Sequence, residues 1–139
     1  MARFAFRLRK VLEYRELQES WAKTAYLEAQ QARLKGDAEL ALVAERRSGL
    51  LAYPTMSVAD RIALEHSLFA LDDIEHQQKL ALQVLLQEES VALSVWQEKR
   101  RDGEVLRKLR ERAYDEWSLE QGRLEQAALD EWAVLRRAR

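Results

Sequence analysis

Apolar side chains recur along this chain at alternating steps of three and four, and the pattern breaks hard in one place. That spacing lays them along one face of an α-helix. The break is Ala52-Tyr53-Pro54-Thr55-Met56-Ser57. Proline cannot continue a helix and disfavours helical geometry in the residue before it. Ser57 then offers an oxygen as N-cap, and Asp60, three residues on, can complete a capping box. The pattern predicts helix 1 over about 3–51, a turn at 52–57 and helix 2 over about 58–136, in one domain spanning 1–139.

Helices this long need an apolar seam buried against a partner. A short connection makes them antiparallel neighbours. The expected fold class is all-α: an antiparallel coiled-coil hairpin whose second helix is longer and overhangs at the C-terminus. In helix 1 the seam reads Phe4, Leu8, Val11, Arg15, Gln18, Ala22, Ala25, Ala29, Ala32, Gly36, Glu39, Val43 and Leu50. In helix 2 it reads Leu64, Leu68, Leu71, Leu82, Leu85, Ala92, Trp96, Leu106 and Ala113, interrupted by Glu75, Gln78, Glu89 and Lys99. A turn centred near residue 55 sets residue i opposite about 110 − i. Phe4 and Phe6 are then expected near Leu106, Tyr14 near Trp96, and Leu50 near Ile62.

Helix 1 then reaches back to about residue 107, which leaves roughly 30 residues of helix 2 uncovered, ~45 Å at 1.5 Å per residue. That stretch still carries Leu109, Ala113, Trp117, Leu124, Ala127, Ala128 and Leu135. An amphipathic helix without a partner in its own chain is a docking element for another protein, or for a second copy. Trp117 and Trp132 suit such a surface, since tryptophan is enriched among interface hot spots. The competing reading is that they pack locally on a long helix.

Composition agrees with a rod-like helical protein. Apolar residues make up 47% and charged residues 34%, with one proline and four glycines. The formal net charge of −1 argues against bulk electrostatic binding of nucleic acid, which calls for a strongly basic domain. The chain has no cysteine, which rules out disulfides, thiol nucleophiles and thiolate metal sites. Met1–Leu12 is interrupted by Arg7, Arg9 and Lys10, so it offers no signal-peptide core. A cytoplasmic protein is expected.

Candidate chemistry is thin. His66 and His76 lie ten residues apart, too far round a helix to share a metal. Asp73 and His76 form a single acid-x-x-His, where a di-iron bundle uses two plus two further Glu. Asp72 and His76 suit an ordinary i, i+4 pair. There is no phosphate loop and no nucleophile elbow. No catalytic, cofactor-binding or metal-ligating residue is expected, no cofactor, and no enzyme activity.

The opening Phe4-Ala5-Phe6-Arg7-Leu8-Arg9-Lys10-Val11-Leu12-Glu13-Tyr14-Arg15, followed by Glu19 and Ala22, resembles the start of the flagellar export protein FliJ family. Trp96-Gln97-Glu98-Lys99-Arg100, Leu106-Arg107-Lys108-Leu109-Arg110-Glu111-Arg112, and Glu125-Gln126 with Leu129-Asp130-Glu131 are similar to later segments of that family, in the same order. The resemblance implies a soluble component of the flagellar type III export apparatus. On it, the hairpin is the stalk of the hexameric export ATPase, promoting ring assembly and activity. It also implies links to the cytoplasmic domain of the export-gate membrane protein and to export chaperones, at the cytoplasmic face of the inner membrane. The chain would then be peripheral to the membrane through its partners only.

Residues expected at the ring are Phe4, Phe6, Arg7, Leu109, Trp117, Glu125, Gln126, Asp130 and Glu131. Those expected at the gate are Leu64, Leu68, Leu71, Ile74 and Gln78. The alternatives are the equivalent stalk of a virulence type III secretion system and a self-associating structural coiled coil.

Overall fold

A computed structural model describes residues 2–139. They form two helices, α1 (Arg9–Ala52) and α2 (Val58–Arg137), and no strand among the described residues. The chain is all-α, and the two helices pack against each other as a hairpin. Its connection is built as the sequence predicts. Asp60 N–H donates to Ser57 Oγ at 3.1 Å, and Ser57 N–H donates back to Asp60 Oδ2 at 3.1 Å. That reciprocal pair satisfies two amide donors that a helix start otherwise leaves open. Met56 N–H adds a third bond to the same carboxylate at 3.2 Å.

The described residues divide into two compact units, Trp21–Gln97 and Met1–Ser20 with Glu98–Arg139. In the Trp21–Gln97 unit, Ala22, Val43 and Leu71 are buried. The α2 seam falls on Leu64, Leu68, Leu71, Glu75, Gln78, Leu82, Leu85, Glu89, Ala92 and Trp96, as the pattern predicts. The α1 seam does not follow the small-residue row throughout. Ala25, Ala32 and Glu39 are exposed, and Tyr26, Arg33 and Leu40 turn inward instead. Large side chains thus alternate with Ala22, Ala29, Gly36 and Val43 along this face.

The substitution has a physical reason, because two of the polar interruptions of α2, Glu75 and Glu89, find their partners on α1. Arg33 Nε donates to Glu89 Oε2, and Arg47 Nη2 donates to Glu75 Oε2. Arg47 Nη2 also reaches Asp72 Oδ1 at 2.6 Å, so Asp72 pairs across the hairpin and not with His76. Long Arg stems cover apolar surface while the heads meet carboxylates. Small residues serve the opposite need. A Cβ on Gly36 would stand 3.2 Å from Leu85 Cδ1 and 3.3 Å from Leu82 Cδ1, so the glycine admits two leucine knobs.

The register also differs from expectation. Tyr26 stacks on Trp96, with centroids 5.5 Å apart, where Tyr14 was expected. Leu50 borders two grooves, one with Ala70, Leu71 and Ile74 and one with Ala63 and Leu64. Within the Trp21–Gln97 unit, residue i of α1 therefore stands opposite residue 122 − i of α2. The connection explains the slip. Residues 58–63 are wholly exposed, so the start of α2 projects past the end of α1. Tyr53 N–H closes the end of α1 on Leu50 C=O at 3.2 Å, and the non-helical residues that follow can both cross the ~10 Å between helix axes and climb along them.

In the other unit, α1 begins at Arg9 and not near Arg3. Phe4, Phe6 and Leu8 are half-buried, while Ala5 and Arg7 are exposed. That alternation has the period of an extended chain. Arg9 N–H then donates to Phe6 C=O at 3.1 Å and turns the chain into the helix. Leu12, at 3% exposure, takes the seam position expected for Val11, which is 43% exposed.

A candidate partner-binding end

The extended N-terminal segment brings Phe4 onto α2 further along than a helix would reach. Its ring meets Tyr114 edge-on at 5.2 Å and 88°, and lies 5.7 Å from Trp117. Tyr114 and Trp117 are themselves 5.7 Å apart. Phe4 thus lies against Tyr114 and Trp117, and Phe4 and Phe6 line a groove with Leu109, Ala113 and Trp117. Trp117 is half-buried in this cluster, which corrects its expected place on an uncovered overhang. Extended backbone spans about twice the axial distance per residue that helix does, so the non-helical residues before the turn at 7–8 shorten the overhang.

Ion pairs fix this end from both sides. Arg107 Nη1 lies 3.4 Å from Glu19 Oε2 and 3.9 Å from Glu16 Oε1. Arg15 reaches Asp102 at 3.5 Å. Gly103 is buried beneath them, and a Cβ there would stand 3.2 Å from both Glu19 Oε2 and Arg107 Nη1.

The expected ring residues divide into two groups. Phe4, Phe6, Arg7, Leu109 and Trp117 converge on one open groove. Glu125, Gln126, Asp130 and Glu131 lie apart from it, exposed on the last turns of α2. Gln126 Nε2 donates to Asp130 Oδ1 at 3.0 Å, a local i, i+4 bond. Every residue from Gly122 to Arg139 is exposed. Leu124 (55%), Trp132 (58%) and Leu135 (61%) have no cover within the chain, and Arg136 rests 5.2 Å over the Trp132 ring.

The expected gate residues mostly face α1. Leu71 is buried, and Leu64, Leu68 and Gln78 are half-buried. Ile74, at 39% exposure, is the one that presents surface. Phe69, at 68% exposure, is a nearby surface residue that seam reading passes over. Tyr114 was missed as well, although Tyr114 and Trp117 at i, i+3 form a legible aromatic step.

Electrostatics reinforce the seam. Hydrogen bonding to Lys79, and then to Arg47, holds the Glu75 carboxyl below its ordinary range. Glu89 raises the Arg33 guanidinium and Glu75 raises that of Arg47, mainly by hydrogen bonding. Such couplings belong to structural pairs as well as to active sites; Arg33–Glu89 and Arg47–Glu75 cross the hairpin, while Lys79 pairs with Glu75 within α2. No group of three potential metal-ligating side chains occurs among the described residues. No helix among them is long and apolar enough to cross a membrane.

Comparison with known proteins gives one result for the whole chain. Neither the curated proteins nor the solved structures provide a match. The family model described as "Flagellar FliJ protein" matches residues 4–139, from the Phe4 segment through the exposed end of α2. The chain belongs to the flagellar FliJ protein family.

Proposed function

We propose that this protein is the stalk of the flagellar type III export ATPase, with residues 1–139 acting as one non-catalytic hairpin in the cytoplasm. The family supplies the export setting. The observation that carries the finer reading is the end formed by Phe4, Phe6, Leu109 and Trp117, from which α2 continues as an uncovered amphipathic helix. A rod that offers apolar side chains and acids at one end suits insertion into a ring. There Leu124, Trp132 and Leu135 would lose their solvent contact, each gaining the burial of a large apolar side chain. Arg7, Glu125, Gln126, Asp130 and Glu131 are exposed and would set orientation through charge complementarity.

Contacts with the export gate and with export chaperones complete the proposal. Ile74 and Phe69 are the gate-side residues best placed to touch a partner, because Leu71 is spent on the seam.

The test is steady-state ATP hydrolysis by the cognate ring-forming ATPase, titrated with this protein. Stimulation that saturates supports the stalk; a flat titration counts against it.

A further inference from the structure

Helix α2 carries two adjoining blocks of opposite charge. Lys99–Arg112 holds seven basic and three acidic residues, and Tyr114–Glu131 holds six acidic and one basic. The blocks are nearly equal in length and lie on one uninterrupted helix. Internal pairing uses up only part of the charge. Arg107 is held by Glu16 and Glu19, and Arg100 by Glu104. Lys108, Arg112, Glu116 and Glu120 are exposed and enter no ion pair among the described residues.

The same stretch has an uncovered face. Val105, Leu109, Arg112, Glu116 and Leu119 follow one another at steps of four, three, four and three, which keeps them in one helical row. Val105 is 60% exposed, Leu109 40% and Leu119 68%. This row is close to a palindrome. A two-fold axis near residue 114 sets Leu109 opposite Leu119 of a second copy and Arg112 opposite Glu116, each contact made twice. It also brings Lys108 beside Glu120. A parallel arrangement sets like charge beside like charge and is disfavoured.

We propose that a second copy of this chain covers this face, in an antiparallel homodimer that lays Lys99–Arg112 of each copy along Tyr114–Glu131 of the other. The proposal stands on charge pattern and exposure and does not depend on the ring reading. Leu109 belongs to both surfaces, so homodimer and ring would compete for it. Self-association then keeps Leu109 covered until the ring displaces one copy.

The test is sedimentation velocity on the full-length protein in about 50 mM salt, over a concentration series up to about 100 µM, a range that detects even a weak dimer. The wild type is expected to dimerise, with association weakening about tenfold or more in about 500 mM salt as the pairs are screened. Two doubly reversed variants, Lys108→Glu/Arg112→Glu and Glu116→Arg/Glu120→Lys, are each expected to weaken self-association at least tenfold. Mixed in equal amounts, they regain complementary pairs on both sides of the two-fold and should form a heterodimer. Circular dichroism of each variant confirms that the helices persist. A wild type that stays monomeric over the series overturns the proposal. So does a dimer that both reversals leave intact, or a mixture of well-folded variants that fails to associate.

Discussion

Phe4 stands edge-on to Tyr114, ring centroids 5.2 Å apart at 88°, across 110 residues of sequence. An extended segment, not a helix, makes that contact. Removing the ring in Phe4→Ala should cost about 1–2 kcal/mol, less than a fully buried aromatic because the side chain is only half covered. Urea denaturation gives the magnitude, and amide exchange gives the place. Protection should fall around residues 110–118 and stay unchanged around Val43 and Leu71.

The alternation of Phe4, Phe6 and Leu8 is legible as a period of two, but the steps of three and four that continue from Phe4 predict helix from about residue 3. The α2 seam was legible because its Leu residues dominate. The α1 seam was only partly so, since a row of alanines is the simplest apolar stripe. Arg33 and Arg47 face inward only because Glu89 and Glu75 wait across the interface, and a single helix read by itself does not reveal that. The register was misplaced because Pro54 locates the turn without stating how far the extended residues climb. The ring candidates Glu125 to Glu131 were legible only through family resemblance, as packing demands none of them.

The glycines should separate by their surroundings. Gly49 and Gly122 have open space where a Cβ would stand, so Gly49→Ala and Gly122→Ala should each stabilise by up to about 1 kcal/mol through helix propensity. Gly36→Ala meets Leu85 and Leu82 at 3.2 and 3.3 Å, and the crowding should offset that gain. Gly36→Leu should destabilise by about 1–3 kcal/mol through overpacking. Thermal melts of the four variants rank them.

Glu75 should make the hairpin acid-sensitive. Its folded carboxyl is held below the ordinary value of 4.5 by Lys79 and Arg47. Its contribution is therefore full above that value and is lost as pH falls through the lowered one. In Glu75→Gln the corresponding loss is absent. The wild-type melting temperature should exceed that of the variant near pH 7, with the gap shrinking as pH drops below 4.5.

Gate binding and hairpin stability should come apart around residue 70. Phe69→Asp and Ile74→Asp change exposed residues and should weaken pull-down by the gate's cytoplasmic domain while helicity holds. Leu71→Ala, in the buried seam, should lower stability by about 2 kcal/mol, which a denaturant melt detects. Unchanged pull-down by both surface variants removes this patch from the gate interface.

Truncation after Gln121 tests the stalk most directly, because the aromatic cluster stays and only the uncovered helix is lost. ATP hydrolysis by the export ATPase is measured with the full chain and with residues 1–121, each checked for helicity. The stalk account predicts stimulation by the full chain and little or none by the shortened one. Equal stimulation by both would contradict it.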